Sequence, residues 1–81
     1  MDVQAIVFEE IAEVAARQKK TLQPFNVDSP LLGIGLDSLC FAILVARLEE
    51  RFGVDPFEDP ENDSMPMTIG DLVNMYERVV A

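Results

Sequence analysis

The chain has 81 residues, with 15 acidic side chains against 6 basic ones and no histidine, for a formal net charge of −9. That length holds one domain, with about 60% of the unfolded chain's surface buried on folding, and leaves no room for a walled substrate cleft. The charge argues against nucleic acid and anionic membrane surfaces, both of which are bound through Lys and Arg, and it favours partners with basic patches. An apolar share of 49% separates the chain from disordered acidic sequences.

The segment from Val3 to Gln18 predicts an amphipathic helix. Val3, Ile6, Val7, Ile11, Val14 and Ala15 recur at spacings of three and four, and Glu9, Glu10, Glu13 and Arg17 fill the gaps. Asp2 is suited to the N-cap, and Arg17, Lys19 and Lys20 suit the negative C-terminal end, the two lysines as solvated charges. From Thr21 to Leu36 the periodicity stops at Pro24, Pro30, Gly33 and Gly35. Phe25, Leu31, Leu32, Ile34 and Leu36 keep this stretch apolar, so the loop is expected to be pinned to the core, and loops of this length in a compact domain are usually functional.

A second helix is expected from Asp37 or Ser38 to about Phe52, with Gly53 at C′ and Pro56 beyond. Val54 to Pro66 is again irregular, with Pro56, Pro60 and Pro66 and one short helical turn near Pro60 to Ser64. A last helix runs from about Thr68 to Val80. Thr68 is its N-cap, Asp71 closes a capping box in place of the usual Glu, and Ile69, Leu72, Val73, Tyr76 and Val79/Val80 form its stripe. No stretch alternates as a strand does. The expected fold is a small all-α bundle of three long helices and one short one, with a long first loop.

The second helix has one apolar face too many. At 100° per residue, Phe41, Leu44, Val45, Leu48 and Phe52 fall within one stripe about 100° wide, with Cys40 at its flank. Leu39, Ala42, Ile43 and Ala46 cluster opposite, together with Glu50. Either the first loop folds over that second face or part of it is an exposed interaction patch; both arrangements are compatible with the sequence.

Gly35-Leu36-Asp37-Ser38-Leu39 is the most informative string. Asp and Ser at the start of a strong helix are explained by capping alone. A Ser hydroxyl at a helix N-terminus is also where backbone N–H groups and the macrodipole favour an anion, so a phosphate ester would be stabilised there. Asp37 beside it has the chemistry to ligate a metal or orient the hydroxyl. Without histidine a Ser-His-Asp arrangement is impossible, and the usual zinc ligand set is out of reach. Asp59, Glu61 and Asp63 fail a calcium-loop register, because Ser64 stands at the sixth position and Gly70 at the twelfth. Cys40, near a helix N-terminus, is either a thiol with a lowered pKa or a small apolar filler. Met65, Met67 and Met75 read as gap fillers.

Gly-Leu-Asp-Ser-Leu, followed by an apolar helix ending Leu48-Glu49-Glu50-Arg51-Phe52-Gly53-Val54, resembles the acyl carrier proteins. The similarity extends over the chain, through the Leu-Gly element before the motif, the Pro- and acid-rich second loop and the Thr-Ile-Gly-Asp-Leu opening of the last helix. The resemblance implies a four-helix bundle in which Ser38 accepts 4′-phosphopantetheine from coenzyme A through a phosphopantetheinyl transferase with Mg²⁺. The arm's thiol then carries an acyl, or even aminoacyl, thioester between partner enzymes, and the carrier itself catalyses nothing. Asp37 matches the family's acidic residue before the serine and Leu39 its apolar residue after. Leu39, Ala42, Ile43 and Ala46 would meet partners, with Glu49 and Glu50 at acidic positions that meet basic ones.

Carriers of fatty-acid synthesis are typically acidic or polar at the positions of Cys40, Phe41 and Ile43, so this chain implies a more hydrophobic interface and different partners. Peptidyl carriers often show Gly-Gly before a variable residue and the serine; Gly-Leu-Asp is more like an acyl or polyketide carrier. One domain spanning 1–81 with its own Met1 suggests a freestanding, monomeric carrier in a specialised pathway, served by a separate acyl- or aminoacyl-loading ligase or synthase and a downstream transferase. The single cysteine fits a reducing compartment. With no basic n-region and a longest apolar run of Leu39 to Ala46, the expected location is the cytoplasm, without membrane insertion. The alternative is an acidic helical interaction module that carries no prosthetic group; such a module has no need of the Ser38 hydroxyl.

Overall fold

A computed structural model of the chain describes residues 2–54 and 65–80. Three helices follow in order: α1 (Val3–Arg17), α2 (Ser38–Phe52) and α3 (Ile69–Val80). The only extended pairing among the described residues is an isolated antiparallel bridge between Pro30 and Thr68. The expected short helix near Pro60 to Ser64, and the acidic triplet Asp59, Glu61 and Asp63, lie outside the described residues.

The helix ends are set by local chemistry. The Asp2 carboxylate accepts the Ala5 N–H at 3.1 Å, and Gly53 closes α2 in the left-handed region at φ 73°. At α3 the capping box forms as its spacing predicts. The Asp71 N–H donates to Thr68 Oγ1, and an Asp71 carboxylate oxygen accepts the N–H of both Thr68 and Met67, each at 3.1 Å. Those bonds, Thr68's first, hold the Asp71 carboxyl below its ordinary range. Two more α3 N–H groups, of Ile69 and Gly70, donate to the first-loop carbonyls of Ser29 and Val27. The loop thereby satisfies donors that a helix start leaves without partners. Gly70 permits that approach, since a Cβ there would stand 2.9 Å from the Val27 oxygen.

α1 ends in a Schellman motif: Lys20 N–H donates to Ala15 O at 2.8 Å and Lys19 N–H to Ala16 O at 3.2 Å. Lys19 takes the left-handed position that this motif usually gives to glycine, at φ 57°. The first loop then packs inward as its composition predicts. Leu31, Ile34 and Leu36 are buried, and Phe25 meets Phe8 of α1 edge to face with ring centroids 5.1 Å apart. Leu32 remains exposed.

The core joins Val7, Ile11 and Val14 of α1, Leu44 and Leu48 of α2, and Ile69, Leu72 and Tyr76 of α3. Two expectations are corrected here. The buried stripe of α2 is centred on Cys40, Leu44 and Leu48, rotated by about 55° from the predicted stripe; Phe41, Val45 and Phe52 flank it and are half-buried. Glu10, placed by periodicity on the solvent side, is only 3% exposed. The two corrections share a cause. Glu10 accepts a hydrogen bond from Arg47 at 2.6 Å and another from Arg51 at 2.7 Å, so α2 turns its arginine flank towards α1. Burial alone would raise the Glu10 carboxyl, but the two guanidiniums outweigh it and hold the group below its ordinary value of 4.5. The stabilisation from Glu10 is therefore complete above that value and is lost as the pH falls below it.

Lys19→Gly should stabilise the protein by about 0.5–1 kcal/mol, because glycine avoids the left-handed penalty at a modest entropic cost. The thermal midpoint should rise by roughly 2–8 °C. A midpoint that falls would mean that the Lys19 side chain contributes more than its backbone strain costs.

Candidate functional site

The start of α2 is built around one carboxylate. Asp37 is the N-cap, with extended backbone, and its Oδ1 accepts the Cys40 N–H at 2.9 Å. Its Oδ2 pairs with the Lys20 ammonium at 3.1 Å. Both oxygens are thus engaged within the chain. The first helical bond runs from Phe41 N–H to the Asp37 carbonyl. Ser38 is the first residue of the helix and is exposed, and its hydroxyl forms no hydrogen bond with the described residues. Capping is therefore the task of Asp37 and not of Ser38.

Lys20 is exposed, as expected of a solvated charge, and it also pairs with Asp37, its backbone brought to this corner by a close crossing. The chain leaving α1 crosses Gly35 closely enough that a Cβ there would lie 2.3 Å from the Thr21 carbonyl oxygen, and Gly35 adopts φ 110°. The Gln23 N–H donates to Ile34 O at 3.0 Å and continues the contact. No spacing rule would have signalled the Lys20–Asp37 pair, since the two residues meet only through this crossing.

The remaining candidate residues divide by exposure. Leu39, 62% exposed, lies with Ala42, Ala46 and Glu50 on the open side of α2. This answers the question of the second apolar face: part of it is uncovered by the loop. Ile43 is half-buried and packs against the core, and Glu49 is half-buried. Cys40 is fully buried, so its apolar character belongs to the core and not to a docking face. It is a filler and not a reactive thiol. Among the described residues no three His, Cys, Asp or Glu side chains gather as a metal site, and no helix is long and apolar enough to cross a membrane.

The site fits a covalently attached anion. It offers an exposed hydroxyl without a partner, the N-terminal end of a 15-residue helix, and an ammonium group next door. The Cys40 N–H first, then Lys20, lowers the Asp37 carboxyl from 3.8 to about 2. Because the folded value is depressed, its stabilising contribution is complete above the unfolded value and is lost as the pH falls through about 2. A carboxyl ¹³C titration should place the Asp37 midpoint near 2, and Lys20→Met should move it only part of the way back. An ordinary aspartate midpoint in the wild-type protein would contradict the cap geometry.

Comparison with known proteins identifies the family. The family profile described as "Phosphopantetheine attachment site" matches residues 6–59. The solution structure of MacpD, an acyl carrier protein from Pseudomonas fluorescens involved in mupirocin biosynthesis, superposes with a TM-score of 0.78 at 34% sequence identity, covering 91% of this chain and 67% of that one. A comparison with curated proteins gives no match. An all-helical fold, a helix N-terminus suited to a phosphate ester, a profile over most of the chain and this structural likeness agree: the chain belongs to the phosphopantetheine attachment-site family and is a carrier protein, not an enzyme, whose prosthetic group is covalent 4′-phosphopantetheine.

Proposed function

We propose that Ser38 is the attachment residue and that the chain, as a single carrier domain over residues 1–81, hands acyl thioesters between enzymes of a specialised biosynthetic pathway. The observation that carries the assignment is a contrast between serines. The profile spans Ser29 and Ser38 and excludes Ser64. The Ser29 Oγ already accepts the Asn26 N–H at 3.0 Å in a half-buried turn. The Ser38 hydroxyl is exposed and unengaged at a helix N-terminus.

In this reading a phosphopantetheinyl transferase with Mg²⁺ presents coenzyme A to Ser38. The Ser38 oxygen forms the new bond to the phosphorus that bears pantetheine, its proton is taken up by the transferase, and the adenosine bisphosphate half leaves. Asp37 keeps the helix start rigid while this happens. The attached group supplies a terminal thiol for thioester formation. Leu39, Ala42 and Ala46, with the exposed part of Ile43, offer partners an apolar surface below Ser38, and Glu49 and Glu50 border it with acid. The contrast with the acid-lined helix of fatty-acid-synthesis carriers, and the likeness to a carrier that serves mupirocin biosynthesis, support a dedicated pathway with its own loading ligase or synthase and downstream transferase.

Intact mass after incubation with coenzyme A, Mg²⁺ and a broad-specificity transferase tests the assignment. Wild type and Ser29→Ala should each gain one phosphopantetheine, and Ser38→Ala none. A gain retained by Ser38→Ala would move the site elsewhere. No gain by a folded wild-type protein beside an active transferase would overturn the assignment.

A further inference from the structure

Three of the six basic side chains are paired within α1 or between α1 and α2. Arg17 pairs with Glu13 at 2.8 Å, and Arg47 and Arg51 are committed to Glu10. Arg78 lies near the far end of α3. Lys19 occupies the left-handed turn position. Lys20 is the cation placed at the start of α2, one residue's carboxylate away from Ser38. The Schellman bond to Ala15 and the crossing of Thr21 over Gly35 fix the backbone from which its side chain reaches Asp37.

Resting on the assignment of Ser38, we propose that Lys20 is a positioning residue for the base of the arm, its ammonium shared between the Asp37 carboxylate and the phosphodiester on Ser38. Attachment puts a second negative charge beside Asp37, on a chain already at −9. Two like charges on neighbouring residues repel, and one cation between them relieves both. The ammonium has three N–H donors, and among the described residues Asp37 Oδ2 is its one carboxylate partner. The Lys20 and Asp37 side chains remain 40% and 51% exposed, so the ammonium is open to a group arriving from solvent. Asp37 already holds the ammonium above the ordinary lysine value, so it stays charged at any pH the carrier meets.

The test is a thermal cycle over apo and phosphopantetheinylated forms of wild type, Lys20→Met and Lys20→Arg, at low salt, with each loaded form verified by intact mass. Attachment should lower the midpoint by about 2–4 °C more in Lys20→Met than in wild type. Lys20→Arg should behave as wild type, and the difference should shrink with added salt. An equal change on attachment in wild type and Lys20→Met would overturn the proposal and leave Lys20 a partner of Asp37 alone. Absence of a mass gain in wild type would instead overturn the Ser38 assignment, so the two failures are distinguishable.

Discussion

The Asp37 carboxylate is the constraint on which the start of α2 depends. A helix that starts with a serine ordinarily draws the hydroxyl into its own cap, because the first N–H groups lack partners. Here the preceding residue takes that task. One oxygen of Asp37 caps Cys40 and the other meets Lys20, so the neighbouring hydroxyl is left exposed. The placement of Asp37 before Ser38 thus leaves the Ser38 hydroxyl out of the cap.

α1 and α2 are joined at this corner at more than one level. Between the helices, Glu10 is buried under Arg47 and Arg51. A lone buried carboxylate would be costly, but two guanidiniums supply charge and hydrogen bonds together. Above that pair the α1 C-terminus unwinds through a Schellman turn, and the chain crosses Gly35 at backbone contact distance. The first loop, long as it is, is a structural part of the bundle: it buries three aliphatic side chains and supplies carbonyls to the start of α3. Its exposed neighbour on α2 is a narrow apolar strip, with Leu39 at its upper end.

What was legible in the sequence was local. The caps at Asp2 and Thr68/Asp71, the glycine at the end of α2 and the apolar anchoring of the first loop follow from residue chemistry within a few positions, and the structure shows each. The carrier motif was legible for the same reason, since its residues are contiguous. Tertiary placements were not. Periodicity put Glu10 outside because it weighs hydropathy and cannot see two arginines 37 and 41 residues away. Cys40 lies on the same flank of α2 as those arginines and is buried there. Lys20 is exposed as expected, but its pair with Asp37 was not legible because that partner arrives only through the Gly35 crossing.

The division of labour between Asp37 and Ser38 is tested most directly by comparing thermal midpoints of Ser38→Ala and Asp37→Ala with the wild type. Ser38→Ala should stay within about 0.5 kcal/mol of wild-type stability, with a midpoint close to that of the wild type, while Asp37→Ala should melt clearly lower. A Ser38→Ala protein that loses as much as Asp37→Ala would show that the serine caps the helix and would contradict the account.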